Sequence, residues 1–152
     1  MAAAIDLAEL VRAGVAVVVA TRGAELRPEL GRGWGPALSD DGARLTVCVE
    51  AAPGSTMARN LESGAPATAM LARLKSRTTV QLKGAVVEVA APTPARQNAV
   101  AEHVDRFVAE MAAVGSSESI ARGFVARELV TVTIEVAERF DETPGPDAGT
   151  PL

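Results

Sequence analysis

Apolar and polar positions alternate along much of this chain, and glycine and proline interrupt the alternation at short intervals. The segment "RLTVCVE", residues 44–50, shows it best. Leu45, Val47 and Val49 fall on one face and Thr46, Cys48 and Glu50 on the other, the period of a half-buried strand. "GVAVVVAT", residues 14–21, is instead a continuous β-branched run of the kind that forms a strand buried on both faces. "RGAEL" carries turn chemistry that closes a hairpin into "RPELGRGWG". There Gly31, Gly33 and Gly35 occupy every second position, so one face of that strand has no side chains. Such a strand is intrinsically weak, and its glycines mark a bulge or a close approach by a ligand or another backbone.

The stretch "AAPGSTMARNLESGAP", residues 51–66, predicts a short helix between two strands. Pro53-Gly54 breaks the preceding strand, Ser55 or Thr56 can cap the helix start, and Gly64-Pro66 ends it. Met57 and Leu61, four residues apart, point into the core. "ATAMLA" and "TTVQLKGAVVEVA" read as strands, the second a long one. A helix follows over 95–114, with Val100, Val104, Phe107, Val108 and Met111 as its stripe, and "ELVTVTIEVAERF" closes the fold as a strand. Residues 3–12 read as a short helix at the other end of the chain. About six strands in consecutive hairpins, with two or three helices, predict a mainly β domain over residues 1–140. The hairpins favour an antiparallel sheet closing into a barrel over a wound parallel one. The Pro/Gly-rich tail, 141–152, is expected to be extended and poorly ordered by itself.

Charge narrows the partners. A net charge of −4 offers no basic stripe for nucleic acid, so any anion needs a local pocket. The longest apolar run, Gly14 to Ala20, is too short to span a bilayer, and no membrane contact is expected. Asp6 and Glu9 stand where an export signal carries positive charge, which makes the cytoplasm the expected location.

Side-chain chemistry is sparse. One histidine, one cysteine and no tyrosine are too few for a zinc site of His and Cys, and no nucleophile elbow or phosphate-binding P-loop appears. His103 flanks the long helix's apolar stripe and reads as a surface or partly buried residue; Cys48 reads as a small core or interface residue. If the protein is an enzyme, a bound cofactor carries the hard chemistry. Three segments can hold one. The helix start at Ser55 and Thr56 offers free N–H groups, with Arg59 one turn on. "RGWG" offers an indole, Trp34, beside Arg32, although by residue type a core or interface aromatic is the better reading. "KSRTTVQLKG" brings Lys75, Arg77, Thr78 and Thr79 to the head of a strand, and its plain reading is a solvated loop.

The order of these segments resembles the pyridoxamine 5′-phosphate oxidase-like flavin-binding split barrels. The residues that carry the resemblance are Arg27-Pro28, Asp41-Gly42, Arg59-Asn60-Leu61, Pro66 and Val80-Gln81-Leu82-Lys83-Gly84, within about residues 14–90. It implies a six-stranded split barrel that forms a homodimer and holds FMN, or in one branch a deazaflavin coenzyme, in grooves between the subunits. It also implies a phosphate near Ser55, Thr56 and Arg59, a ring edge against Arg32, Gly33, Trp34, Val49 and Glu50, and completion by Thr78, Thr79 and Gln81. Many flavin-binding members have lysine where this chain has Met57, a departure that weakens the phosphate site, and Glu50 adds repulsion if it points inward. The resemblance favours an FMN-dependent oxidoreductase of unassigned catalytic residues. The alternatives are a binding protein that holds a flavin, a deazaflavin or a heme without turnover, and a barrel that has lost its cofactor.

Overall fold

The computed structural model describes residues 4–152. Six antiparallel strands close into a barrel: β1 (Ala16–Arg22), β2 (Pro28–Leu38), β3 (Arg44–Glu50), β4 (Pro66–Ala72), β5 (Thr79–Ala90) and β6 (Leu129–Asp141). They run in the order β3-β2-β1-β4-β5-β6, and β3 pairs with β6 to complete the ring. Among the described residues four helices accompany them: α1 (Leu7–Arg12), α2 (Thr56–Glu62), α3 (Pro94–Ala113) and α4 (Glu118–Gly123). No helix among the described residues is long and apolar enough to cross a membrane.

The interior follows the period of two. Val17 and Val19, Leu45, Val47 and Val49, Ala69 and Leu71, Val80 and Leu82, and Val132 and Ile134 all turn inward and are buried. β1 also obeys this alternation; its outward residues Ala16, Val18 and Ala20 are half-buried, so the β-branched run is a barrel strand and not one sealed on both faces. The helices finish the core at the barrel ends. α2 follows β3 and lays Met57 and Leu61 against the interior, both buried. Its Asn60 donates to Thr21 Oγ1 at 3.3 Å, and that hydroxyl donates to Met57 Sδ at 3.3 Å, which pins the helix to the end of β1. α1 precedes β1 and contributes Leu10 and Val11 to the core; it begins at Leu7, with Asp6 as its cap, which shortens the helix expected over 3–12, whose first residue lies outside the described ones.

The glycine-rich strand is a full member of the barrel, eleven residues long, and its empty face is filled by the protein itself. A Cβ on Gly33 would meet Val17 and Val47 methyls at 2.8 Å; one on Gly31 would meet Met57 Cε at 3.0 Å. Gly35 sits at a register shift in the β2–β3 ladder with φ +60, and there a Cβ would strike the α3 backbone at Val100 N, 3.0 Å away. The expected bulge and backbone approach are both present, and the cleared space belongs to the core and to α3.

α3 lies outside the barrel on β2, burying Val100, Val104 and Phe107 with Trp34, Cys48 and Ala121 in a second apolar cluster. His103 is also buried there, fully, which corrects its reading as a surface or partly exposed residue. The C-terminal tail is ordered as well. It folds back so that β7 (Thr150–Pro151) pairs with Phe140 and Asp141, and the Leu152 N–H donates to the Arg139 carbonyl at 3.0 Å. Beyond Glu135, β6 has no β3 partner, and β7 covers part of that open edge.

Candidate functional site

β3 emerges from the barrel at Glu50, and the chain then turns through Ala51–Gly54 into α2. Ser55 is the N-cap: its Oγ accepts from the Ala58 N–H at 3.1 Å. The N–H groups of Thr56 and Met57 open the helix and have no intrahelical acceptor. Gly54 has φ +74, and nothing lies within 4 Å of where its side chain would be, so this turn is open to a ligand. Arg59 is exposed and folds back over it, donating to the Gly54 carbonyl and, at 3.2 Å, to Thr56 Oγ1. Its charge is therefore held at the turn.

Gly33 pairs with Val49, and both point inward; the next rung therefore sets Arg32 and Glu50 side by side on the outer surface. Arg32 also stacks its guanidinium over Phe124 beyond α4, 4.1 Å from the ring centroid. Glu50 pairs in turn with Leu129 of β6. Beside this row opens a cavity of about 510 Å³, within the range of small-molecule sites. Ala51, Pro53, Pro92, Val100, Leu129 and Val130 make its apolar walls, and Gln97, Arg127 and Glu128 supply the polar groups.

The residues expected from the sequence are thus only partly brought together. Glu50, Ser55, Thr56 and Arg59 share the α2 end of the barrel, with Arg32 next to them. Val49 and Gly33 are buried in the barrel interior, and Trp34 lies under α3 against His103 and Phe107, with ring centroids 5.7 and 5.3 Å away. None of these three presents a side chain on an open face. Thr78 and Thr79 stand at the opposite end of the barrel, about six strand residues or roughly 20 Å from the α2 end. Both are engaged locally: the Thr78 and Ser76 hydroxyls lie 2.9 Å apart, and the Thr79 N–H donates to Thr143 Oγ1 at 3.0 Å. Gln81 lies between the two ends on the outer face, where the ladder runs Arg32–Val18–Met70–Gln81 across four strands.

Sequence reasoning missed Gln97, Arg127 and Glu128. They come together from the start of α3 and the head of β6, and no periodicity reports a cavity walled by segments so far apart in the chain.

No protein-family model matches the sequence, and no curated protein matches it. Solved structures do match in fold. HupZ of Group A Streptococcus aligns with a TM-score of 0.58 at 18% identity, over 97% of this chain and 100% of the other. An F420 reductase gives 0.58 at 14% identity, over 90% and 98%. A pyridoxamine 5′-phosphate oxidase-like protein of Lactobacillus delbrueckii gives 0.55 at 15%, over 91% and 93%. The closed six-stranded barrel described above is therefore the split-barrel fold of the pyridoxamine 5′-phosphate oxidase-like proteins.

Proposed function

We propose that this protein binds FMN at the α2 end of the barrel and acts as a flavin-dependent oxidoreductase on a small organic substrate. The observation that carries the reading is the open Gly54–Thr56 turn, with Arg59 fixed over it. The residues fit a phosphate: two free N–H groups at a helix start, the Ser55 and Thr56 hydroxyls as donors, and one guanidinium. Bound flavin would supply hydride transfer, which no side chain of this chain can perform. The protein's own part is positional. The outer face of β2 and β3 supplies a wall for the ring at Arg32 and Glu50, and the Phe124 ring holds the Arg32 guanidinium in place.

One chain leaves Thr78, Thr79 and Gln81 away from that turn, so the reading includes a homodimer in which a second copy brings its β5 outer face to the site. The half-buried Val18 and Met70 between Arg32 and Gln81 give that face an apolar centre. A deazaflavin coenzyme is the alternative occupant of the same turn.

A binding protein without turnover is the second reading, and Met57 favours it: where a phosphate-binding lysine is expected, the thioether is buried and bonded to Thr21. Heme is the weaker ligand for such a protein. Both ring nitrogens of His103 are engaged inside the fold and Cys48 is buried, which leaves neither of these usual axial ligands exposed.

The test is a titration of the purified chain with FMN, followed by flavin fluorescence and absorption, with sedimentation on the same sample. Saturable binding by a dimer supports the proposal; no binding at millimolar FMN removes it.

A further inference from the structure

We infer that the cavity beside β6 is a binding site for an apolar monocarboxylate anchored by Arg127, a site that exists independently of any cofactor. Six of its nine lining residues are apolar or proline, so it takes an apolar body. The head group is set by what lies at its rim. Among the described residues, the side chains of Arg12, Arg22, Arg77, Arg106 and Arg127 form no ion pair and no hydrogen bond, and of these five only Arg127 lines this cavity. A guanidinium left free at the mouth of an apolar cavity is suited to bind a carboxylate through two parallel N–H donors. The cavity also borders the start of α3, through Pro92 and Gln97, where the helix dipole favours negative charge.

Glu128 limits how much charge the site accepts. Its carboxylate is likewise unpaired, and its backbone is fixed because its carbonyl accepts the Ala51 N–H at 3.0 Å. With one positive and one negative group at the rim, a second negative charge on the ligand meets repulsion without a second cation. A monocarboxylate is therefore preferred over a phosphate dianion. Gln97, whose amide donates weakly to the Pro92 carbonyl at 3.5 Å, keeps its own oxygen free to accept from a ligand hydroxyl or amide.

The chain carries its own reporter. Trp34 is its one tryptophan and packs in the same cluster as Val100 and Leu129, which line the cavity. The experiment titrates 3-phenylpropionate into the full chain and follows Trp34 emission, with 3-phenylpropanol, phenethylamine and phenyl phosphate as comparison probes. The carboxylate should bind saturably and more tightly than all three. Arg127→Gln should weaken it about tenfold, and Glu128→Gln should strengthen it about two- to fivefold. Both residues are exposed and their side chains form no hydrogen bond or ion pair, so unchanged circular dichroism and urea midpoints are expected for each variant. No saturable signal with 3-phenylpropionate, equal binding of the alcohol, preference for the amine or the phosphate, or an Arg127→Gln variant that binds like the parent would each overturn the inference. None of these outcomes bears on FMN, which is titrated separately.

Discussion

His103 ties Gly35 to Val15. Its Nδ1 accepts the Gly35 N–H at 3.1 Å, so its Nε2 carries the proton and donates to the Val15 carbonyl at 2.9 Å. A single neutral tautomer thus braces α3 against the β2 bulge and the approach to β1, and neither nitrogen is left for catalysis. Burial lowers the imidazole pKa from 6.5 to about 4; the bond to Val15 pulls upward against it, and Arg106 adds to the lowering. Between those two values the unfolded chain binds a proton that the folded chain does not, so stability rises with pH there. It should be complete above pH 6.5 and decline by about 3 kcal/mol as pH falls toward 4. Urea unfolding across that window measures it, and His103→Leu should be less stable at neutral pH but lose most of this slope.

Met57→Lys tests whether the familiar phosphate-site lysine can be restored here. The side chain is 4% exposed and its sulfur lies 3.3 Å from the Thr21 hydroxyl, inside the barrel end. A lysine there leaves an ammonium among Gly31, Thr21 and the interior valines, which should cost at least about 3 kcal/mol or force the amine neutral. Met57→Leu conserves volume and should cost under about 1.5 kcal/mol. Equal urea midpoints for the lysine variant and the parent would show that α2 can turn this position toward solvent.

How much of this was legible in the sequence depends on range. Strands such as 44–50 and the Ser55 cap rest on local periodicity and turn chemistry, and both stand where the residues placed them. The apolar stripe of α3 was legible too, but the burial of His103 was not, because its partners lie 68 and 88 residues away. The glycine-rich strand shows the same limit. Alternating glycines announce an empty face, but only the folded barrel shows that Val17, Val47 and Met57 fill it. Likewise strand direction sends the segments at Ser55 and Thr78 to opposite ends of one barrel, a separation that no local pattern reports. The tail's composition suits disorder when it stands alone, and only the folded barrel shows that an edge of β6 gives its backbone somewhere to pair.

That edge makes the tail a stabilising element. Deleting residues 145–152 removes the backbone bonds from Gly149 to Asp141 and from Leu152 to Arg139. Both lie near solvent, so each contributes only about 0.5–1 kcal/mol net. The melting temperature should fall by about 2–8 °C, since 1 kcal/mol moves a domain of this size by roughly 2–4 °C. Calorimetry on the truncated chain checks it, and an unchanged melting temperature would mean that β7 is not held in solution.

Arg59 decides whether the turn at 54–56 holds a phosphate. Of the charges near α2 it alone reaches that turn, because Met57 faces the core and Glu50 carries the wrong sign. A charge-assisted contact of this kind contributes about 1.5–3 kcal/mol, but here the guanidinium is exposed and already bonded to the Gly54 carbonyl. Part of the gain is spent in leaving or sharing that bond, which puts the expectation at the low end. Arg59→Ala should therefore weaken FMN binding about tenfold, or about 1.4 kcal/mol. The fold should be unaffected, since the side chain covers no part of the core. Arg59→Lys keeps the charge but loses the fork that spans Gly54 and Thr56, and it should recover only part of the loss. Fluorescence titration of the parent and both variants, with circular dichroism as the control for folding, is the measurement. If Arg59→Ala binds FMN as tightly as the parent, the guanidinium is only a clasp on its own turn, and the phosphate, if one is bound, lies elsewhere.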